Sequence, residues 1–230
     1  MKTGVFVVIA AYDEGKSIGN VLKGLIPKDY EIVVVDDCSK DNTFNIVENI
    51  ARKNKKVHLL RHIVNRGQGA ALKTGIDYSL AKKAKIIVTF DADGQHQADE
   101  IKDIIRPVQA GEVDAALGSR FLNRKSNVPF FKKLALKGGT IFTKIISGIK
   151  LTDAHNGFRA LSREAAKKIK ITQDRMEHAS EIVEEIHKKR IKYKEVPVTI
   201  KYTKYSKAKG QGALNAFKIA FRFIFKKLTS

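Results

Sequence analysis

The chain has 230 residues, of which 43% are hydrophobic and 30% charged, and its formal net charge is +20. This composition is typical of a globular protein and excludes a disordered chain, and no apolar stretch approaches the ~20 residues that span a bilayer. The charge predicts an anionic partner, which could be nucleic acid, an acidic membrane surface or a phosphorylated substrate, with a merely solvated basic surface as the alternative.

Alternating strands and helices are predicted from the N-terminus to about Leu117. Apolar runs rich in β-branched residues predict buried strands at Val5–Ala11, Ile32–Val35, Val57–Leu60, Ile86–Phe90 and Val113–Leu117. Apolar residues at three- and four-residue spacing predict helices between them, the first capped by Ser17 and the second by Asp41-Asn42. Repeated strand–helix–strand units predict an α/β fold with a mostly parallel sheet.

The C-terminal part of the chain is both apolar and basic. Between Gly212 and Leu228, the spacing places four polar or basic residues on one side of a predicted helix and Leu and Phe on the other side. The four are Asn215, Lys218, Arg222 and Lys226. Such a helix is typical of a membrane interface, although docking on its own domain is the alternative. We predict one α/β domain over residues 1–210 and a basic amphipathic helix over residues 211–230. The single cysteine, Cys38, suits a reducing compartment.

An acidic cluster directly after a buried strand is the sharpest signal for a site. Asp91, Asp93 and Gln95 share one parity, so on an extended segment their oxygen atoms point the same way. Carboxylate and amide oxygens suit Mg²⁺ or Mn²⁺ together with substrate phosphates. The alternative is a polar turn in which Asp99 caps the next helix.

Two further polar segments follow neighbouring strands. Asp36-Asp37 lies where a carboxylate commonly accepts hydrogen bonds from a ribose or a base, although Ser39 and Asp41 could simply cap a helix. The segment Asn65–Gly69 opens a helix and suits phosphate binding, with a packing loop as the alternative. It lacks the third glycine of a dinucleotide fingerprint. The histidines show no zinc-ligand spacing.

These segments together resemble the ordered signature of family 2 glycosyltransferases of the GT-A fold. The segments that carry the resemblance are Ala10–Glu14, Val35–Thr43, Asn65–Ala70, Asp91–His96 and Gly118–Arg120. The branch that they are most similar to is that of the dolichyl- or polyprenyl-phosphate sugar synthases. Asn156–Ala160, the helix with Glu181-Ile182 and Glu195–Val198 resemble the later part of that branch. Thr203–Lys207 departs from its usual Arg-x-x-Gly-x-Ser-Lys element.

The resemblance implies a role for each matching residue. A nucleotide-sugar donor would be held by Ala10, Tyr12, Glu14, Asp37, Gln68 and Ala92. Asp91, Asp93 and Gln95 would coordinate a Mg²⁺ or Mn²⁺ ion that bridges the diphosphate, with both aspartates serving catalysis. Arg120 would meet the acceptor phosphate.

The predicted reaction is inverting sugar transfer from a nucleoside-diphosphate donor of the GDP-mannose or UDP-glucose type to a polyprenyl-phosphate lipid. The enzyme would lie peripherally on the cytoplasmic face of an anionic membrane. A sugar hydroxyl in a polysaccharide or glycolipid is the alternative acceptor, and Glu181 or Asp153 would then be the base. A basic nucleic-acid-binding module is a remote alternative, and no nucleic-acid partner is expected because its usual signatures are absent.

Overall fold

A central sheet organises the computed structural model, which describes residues 4–122, 126–128 and 130–202. Within these residues the sheet has seven strands in the order β3-β2-β1-β4-β6-β5-β7. The strands are β1 (Val5–Ala11), β2 (Glu31–Asp36), β3 (Val57–Arg61), β4 (Ile86–Thr89), β5 (Ala115–Ser119), β6 (Arg159–Ser162) and β7 (Tyr193–Pro197). The α/β fold and the mostly parallel sheet are therefore confirmed.

Helices cover both faces of this sheet. They are α1 (Ile18–Leu25), α2 (Thr43–Lys53), α3 (Gln68–Ala81), α4 (Ile101–Gln109), α5 (Phe130–Ser147), α6 (Arg163–Lys168) and α7 (His178–Lys188), with a 3₁₀ turn at Ala98–Glu100. Among the described residues, no helix is long and apolar enough to cross a membrane.

Two hydrophobic cores form because side chains alternate across the strands. Val7 and Ile9 of β1 face the core that α1, α2 and α4 cover, whereas Phe6 and Val8 face the core under α3, α6 and α7. This two-sided burial explains why the central strands are almost continuously apolar.

Strand β6 departs from the predicted pattern. It runs antiparallel between β4 and β5, where Ala160 pairs with Val88 of β4 on one side and with Ala116 of β5 on the other. The carboxyl ends of β4 and β5 are therefore separated by the width of one strand. The run of local strand–helix units could not predict this strand, because its partners are more than forty residues away in sequence.

The predicted helix starts are also corrected in detail. Ser17 lies at the start of α1, but its hydroxyl donates to the carboxylate of Glu14 at 2.6 Å instead of accepting from the helix. The N-cap residue of α2, Asn42, makes no side-chain capping bond, but Asp41 Oδ1 accepts from the amide of Thr43, the first residue of α2, at 2.9 Å. Asp99 lies within the 3₁₀ turn and pairs with Lys28. The predicted helix at 211–230 and the Thr203–Lys207 element lie outside the described residues.

Candidate active site

Asp91 lies just after β4 with its carboxylate held on both oxygens. Oδ2 lies 2.8 Å from His96 Nε2, and Oδ1 accepts from Gln68 Nε2 at 3.4 Å. Gln68 is the first residue of α3, so the structure brings this predicted donor-site residue to the acidic cluster. Burial raises the pKa of Asp91, but His96, together with His178 and Arg120, outweighs this and keeps the pKa below its usual value.

Asp93 and Gln95 meet in a turn over residues 92–94, so the expected extended segment is wrong here and the backbone follows the polar-turn alternative. Asp93 Oδ1 accepts from the amide of Gln95 at 3.0 Å, and Oδ2 accepts from the Gln95 side chain at 2.5 Å. Burial and then the charge of Asp91 raise the pKa of Asp93. The two carboxylates therefore share a site where a second negative charge is unfavourable, and a divalent cation would relieve this repulsion.

This donor set fits Mg²⁺ or Mn²⁺. In the described part of the chain, no group of three or more His, Cys, Asp or Glu residues could hold a metal ion by itself. Mg²⁺ commonly takes one or two carboxylates from the protein and completes its shell with water and substrate phosphates. Asp91, Asp93 and Gln95 would supply that smaller set, and their role as metal ligands stays a prediction.

The carboxylates at the end of β2, Asp36 and Asp37, organise the neighbouring loops. Asp37 accepts from His62 Nδ1 at 2.7 Å, from the amide of Arg66 at 3.0 Å and from the amide of Gly67 at 2.6 Å. Asp36 is fully buried, with Oδ2 3.3 Å from Arg61 Nε and Oδ1 without a partner. The nucleotide role of Asp37 stays a prediction, because these bonds show Asp37 fixing the loop before α3.

The start of α3 packs against the segment that precedes α7. A Cβ added to Gly69 would lie 2.0 Å from the carbonyl oxygen of Gln173, and one added to Gly67 would lie 2.4 Å from that of Asp174. The amide of Ala70 donates to the same Asp174 oxygen at 3.1 Å. The structure thus favours the packing alternative over phosphate binding for this segment.

The loops after β1 and β2 are joined by hydrogen bonds. Asp13 Oδ1 accepts from the amide of Lys40 at 2.7 Å, and the amide of Asp13 donates to Ser39 Oγ at 3.0 Å. Glu14 is buried and its amide donates to Thr43 Oγ1 at 2.8 Å.

The other residues predicted to hold the nucleotide differ in exposure. Tyr12 is 37% exposed at the same edge of the sheet, and Ala10 is half-buried near the end of β1. Ala92, after β4, is buried.

Arg120 and Asp153 form a buried ion pair. Arg120 Nε donates to Asp153 Oδ2 at 2.6 Å, Nη1 donates to the Tyr202 hydroxyl at 2.7 Å, and Nη2 donates to the His155 carbonyl at 3.4 Å. Burial lowers the pKa of Arg120, but the charge of Asp153 outweighs it and the pKa is raised. The acceptor role of Arg120 and the base role of Asp153 stay predictions.

Glu181 lies in the first turn of α7 and is held by the preceding turn. Its carboxylate accepts from the amides of Thr172 at 3.0 Å and Gln173 at 2.9 Å and from the Thr172 hydroxyl. These bonds use both oxygens, which argues against Glu181 as a proton acceptor. That role also stays a prediction.

Three residues without a predicted role complete the site: His96, Arg159 and His178. Arg159 is buried and donates to the carbonyl oxygens of Asn156 and Ala179, both at 3.0 Å. Burial lowers its pKa to about 10, although the charges of Asp91 and Asp153 act to raise it. Burial lowers the pKa of His178 to about 4. No local pattern in the sequence marks Arg159 as part of the site, because its strand, Arg159–Ser162, is too short to be recognised.

Comparison with known proteins agrees with this geometry. Residues 6–170 match the model of glycosyl transferase family 2. The chain belongs to this family. It is therefore a glycosyltransferase, and its sheet is the GT-A type that the resemblance implied.

Two relatives and one solved structure illustrate the similarity. An uncharacterized protein of Methanocaldococcus jannaschii is 42% identical, over 99% of this chain and 93% of its own. The UDP-N-acetylglucosamine–dolichyl-phosphate N-acetylglucosaminyltransferase of Methanococcus voltae is 35% identical, over 97% of this chain and 96% of its own. Glucosyl-3-phosphoglycerate synthase of Mycobacterium tuberculosis, solved with Mn²⁺, UDP and phosphoglyceric acid, shares the fold. Its TM-score is 0.73 at 16% identity, with 98% of this chain and 77% of that chain covered.

Proposed function

We propose that this glycosyltransferase moves a sugar, with inversion, from a nucleoside-diphosphate sugar to a polyprenyl phosphate of the dolichyl type. The observation that carries the proposal is the Asp91–Asp93 pair at the carboxyl end of β4, joined there by Gln68 and Gln95. The relative of 35% identity, named as an N-acetylglucosaminyltransferase acting on dolichyl phosphate, supports the acceptor class.

The acidic pair is proposed to hold the donor end of the site. When bound, a Mg²⁺ or Mn²⁺ ion on Asp91, Asp93 and Gln95 would neutralise charge on the leaving diphosphate. Gln68 donates a hydrogen bond to the Asp91 carboxylate at this end of the site, and the exposed ring of Tyr12 offers a face for a nucleobase. The donor is proposed to be UDP-N-acetylglucosamine, with the GDP-mannose or UDP-glucose type as the alternative.

The state of the candidate bases supports a phosphate acceptor. Both oxygens of Glu181 accept hydrogen bonds from Thr172 and Gln173, and Asp153 is paired with Arg120. A sugar hydroxyl needs a base to take its proton, whereas an ionised lipid phosphate does not. A site whose carboxylates are already engaged in this way suits the acceptor that needs none.

An anionic membrane surface is the proposed location of the reaction, on its cytoplasmic side. Along α5, the exposed residues Leu134, Lys137, Ile141 and Lys144 recur at three- and four-residue spacing and form one stripe. We call this stripe the α5 face. A stripe that mixes apolar and basic side chains matches the interface of anionic lipids.

The test is a donor screen with the purified full-length chain. UDP-N-acetylglucosamine, UDP-glucose and GDP-mannose are each incubated with Mn²⁺, with and without dolichyl phosphate, and nucleoside diphosphate release and lipid-linked sugar are both measured. One donor should give release that depends on the lipid and is matched by glycolipid. Sugar transfer to an oligosaccharide hydroxyl but not to dolichyl phosphate would contradict the proposal.

A further inference from the structure

His96 is buried against the acidic pair, yet the family resemblance assigns it no function. Its side chain is 2% exposed and its Nε2 lies 2.8 Å from Asp91 Oδ2. The other ring nitrogen, Nδ1, is buried without a hydrogen-bond partner. A proton on Nδ1 would therefore be a buried donor without a partner, which is unfavourable. The tautomer with its proton on Nε2 avoids this cost and donates to Asp91.

Aromatic packing fixes the plane of the His96 ring. Its centroid lies 5.2 Å from that of Phe90 and 5.0 Å from that of Phe158, and these two phenylalanines pack edge to face at 5.3 Å. Both phenylalanines are buried. The ring therefore has little freedom to turn, so the direction of its Nε2–H bond is set by the core rather than by the loop.

The other side of the Asp91 carboxylate is restricted by the backbone. A Cβ added to Gly157 would lie 2.8 Å from Asp91 Oδ1. Gly157 directly precedes Phe158, so the same segment confines Oδ1 and packs on His96. The same Cβ would lie 3.1 Å from Oδ2. His96 holds Oδ2, Gln68 donates to Oδ1 and Gly157 lies against both oxygens, so the carboxylate has one preferred orientation.

We propose that His96 is a positioning residue for the metal site, holding Oδ2 of Asp91 and so fixing the orientation in which this carboxylate meets a divalent cation. This inference rests on the proposed function, because it takes the metal to be the diphosphate-bridging ion of the donor site. Hydrogen-bond partners of metal ligands typically contribute 10–100-fold to metal affinity.

The test compares substitutions that keep or remove the Nε2 donor. His96→Gln places an amide nitrogen near the position of Nε2, whereas His96→Leu fills the aromatic pocket without a donor. His96→Asn is a second donorless variant, because its shorter amide reaches only the position of Nδ1. Exposed His187→Gln is the control for replacing a histidine elsewhere. Mn²⁺ affinity of the full chain is measured by electron paramagnetic resonance at fixed pH with UDP and with GDP, alongside thermal unfolding.

The expected result is that His96→Leu and His96→Asn weaken Mn²⁺ binding by about 10–100-fold while His96→Gln and His187→Gln retain it. Wild-type affinity in the two donorless variants would overturn the positioning role, and so would a loss in His96→Gln as large as theirs. If the wild-type chain binds no Mn²⁺ with either nucleotide, the metal assignment fails and the role of His96 fails with it. The two failures are thus distinguished by the wild-type measurement alone.

Discussion

At the scale of single residues, Asp93 shows how the site depends on charge. Burial and the neighbouring Asp91 raise its pKa, so the folded protein holds this carboxylate against repulsion. Asp93→Asn keeps the size of the side chain and an oxygen for the amide of Gln95, but removes one charge. We expect donor turnover to fall by at least ~10²-fold, the scale for losing a main electrostatic stabiliser of the transition state.

The control for Asp93→Asn is Asp77→Asn, which removes an exposed carboxylate paired with Lys73 on α3. Turnover is measured for both variants in the presence of Mn²⁺. The wild-type protein is measured with Mn²⁺ and again after treatment with EDTA. Full activity in Asp93→Asn, or in EDTA, would count against the metal assignment.

The Arg120–Asp153 pair is a second feature at this scale. Both side chains are buried, and Asp153 Oδ1 already lacks a partner. Arg120→Ala would leave an unpaired buried carboxylate, so we expect the free energy of unfolding to fall by about 3–5 kcal/mol. Removing both charges in Arg120→Met/Asp153→Leu should recover much of that loss. The measurement is urea unfolding of both variants.

This result decides how the acceptor role of Arg120 can be examined. A loss of activity in Arg120→Ala means little if the variant is that unstable. If instead Arg120→Ala unfolds like the wild type and loses acceptor use but not donor binding, then Arg120 contacts the acceptor phosphate and the stabilising role is wrong.

At the scale of elements, α3 is positioned by glycine contacts. A Cβ on Gly75 would lie 2.4 Å from Val8 Cγ1 of β1, and one on Gly69 would lie 2.0 Å from the carbonyl oxygen of Gln173. Glycine is a poor helix former, so its presence in α3 is explained by these close approaches. This position of α3 places Gln68 within hydrogen-bond distance of Asp91 and packs the start of the helix against the segment before α7.

Gly69→Ala tests this packing. Because the added methyl group meets backbone, the segment before α7 must shift, and we expect a loss of about 1–3 kcal/mol in the free energy of unfolding. The contact of Gln68 with Asp91 should loosen, so donor affinity should fall too. Gly138→Ala on α5 is the control, since nothing lies within 4 Å of its added Cβ. Equal stability of both variants in urea would show that α3 is not held in this way.

At the scale of the whole molecule, the sequence predicts what depends on local pattern. The apolar runs of β1, β2 and β4 identify buried parallel strands, and the residues after them therefore gather at one edge of the sheet. Strand β6 could not be predicted, because four residues that begin with Arg159 carry no strand pattern. The hydrogen bonds from the Arg66 and Gly67 amides to Asp37 could not be predicted either. Backbone N–H groups occur in nearly every residue, so the sequence does not indicate which of them a carboxylate will bind.

Membrane association is the prediction that involves the whole molecule. The net charge of +20 attracts the full chain to anionic lipid, while the α5 face offers a place where apolar side chains can enter the interface. We expect the protein to sediment with liposomes that contain anionic lipid and to dissociate as the salt concentration rises.

Substitutions on the α5 face test which surface binds. Leu134→Ser/Ile141→Ser should weaken binding, and Lys137→Glu/Lys144→Glu should weaken it by at least ~10-fold, because each juxtamembrane lysine contributes about 1 kcal/mol. Ile63→Ser is the matched control, since Ile63 is 93% exposed but lies on the loop after β3. Wild-type liposome binding by both α5 double variants, with their fold intact by circular dichroism, would show that another surface contacts the membrane.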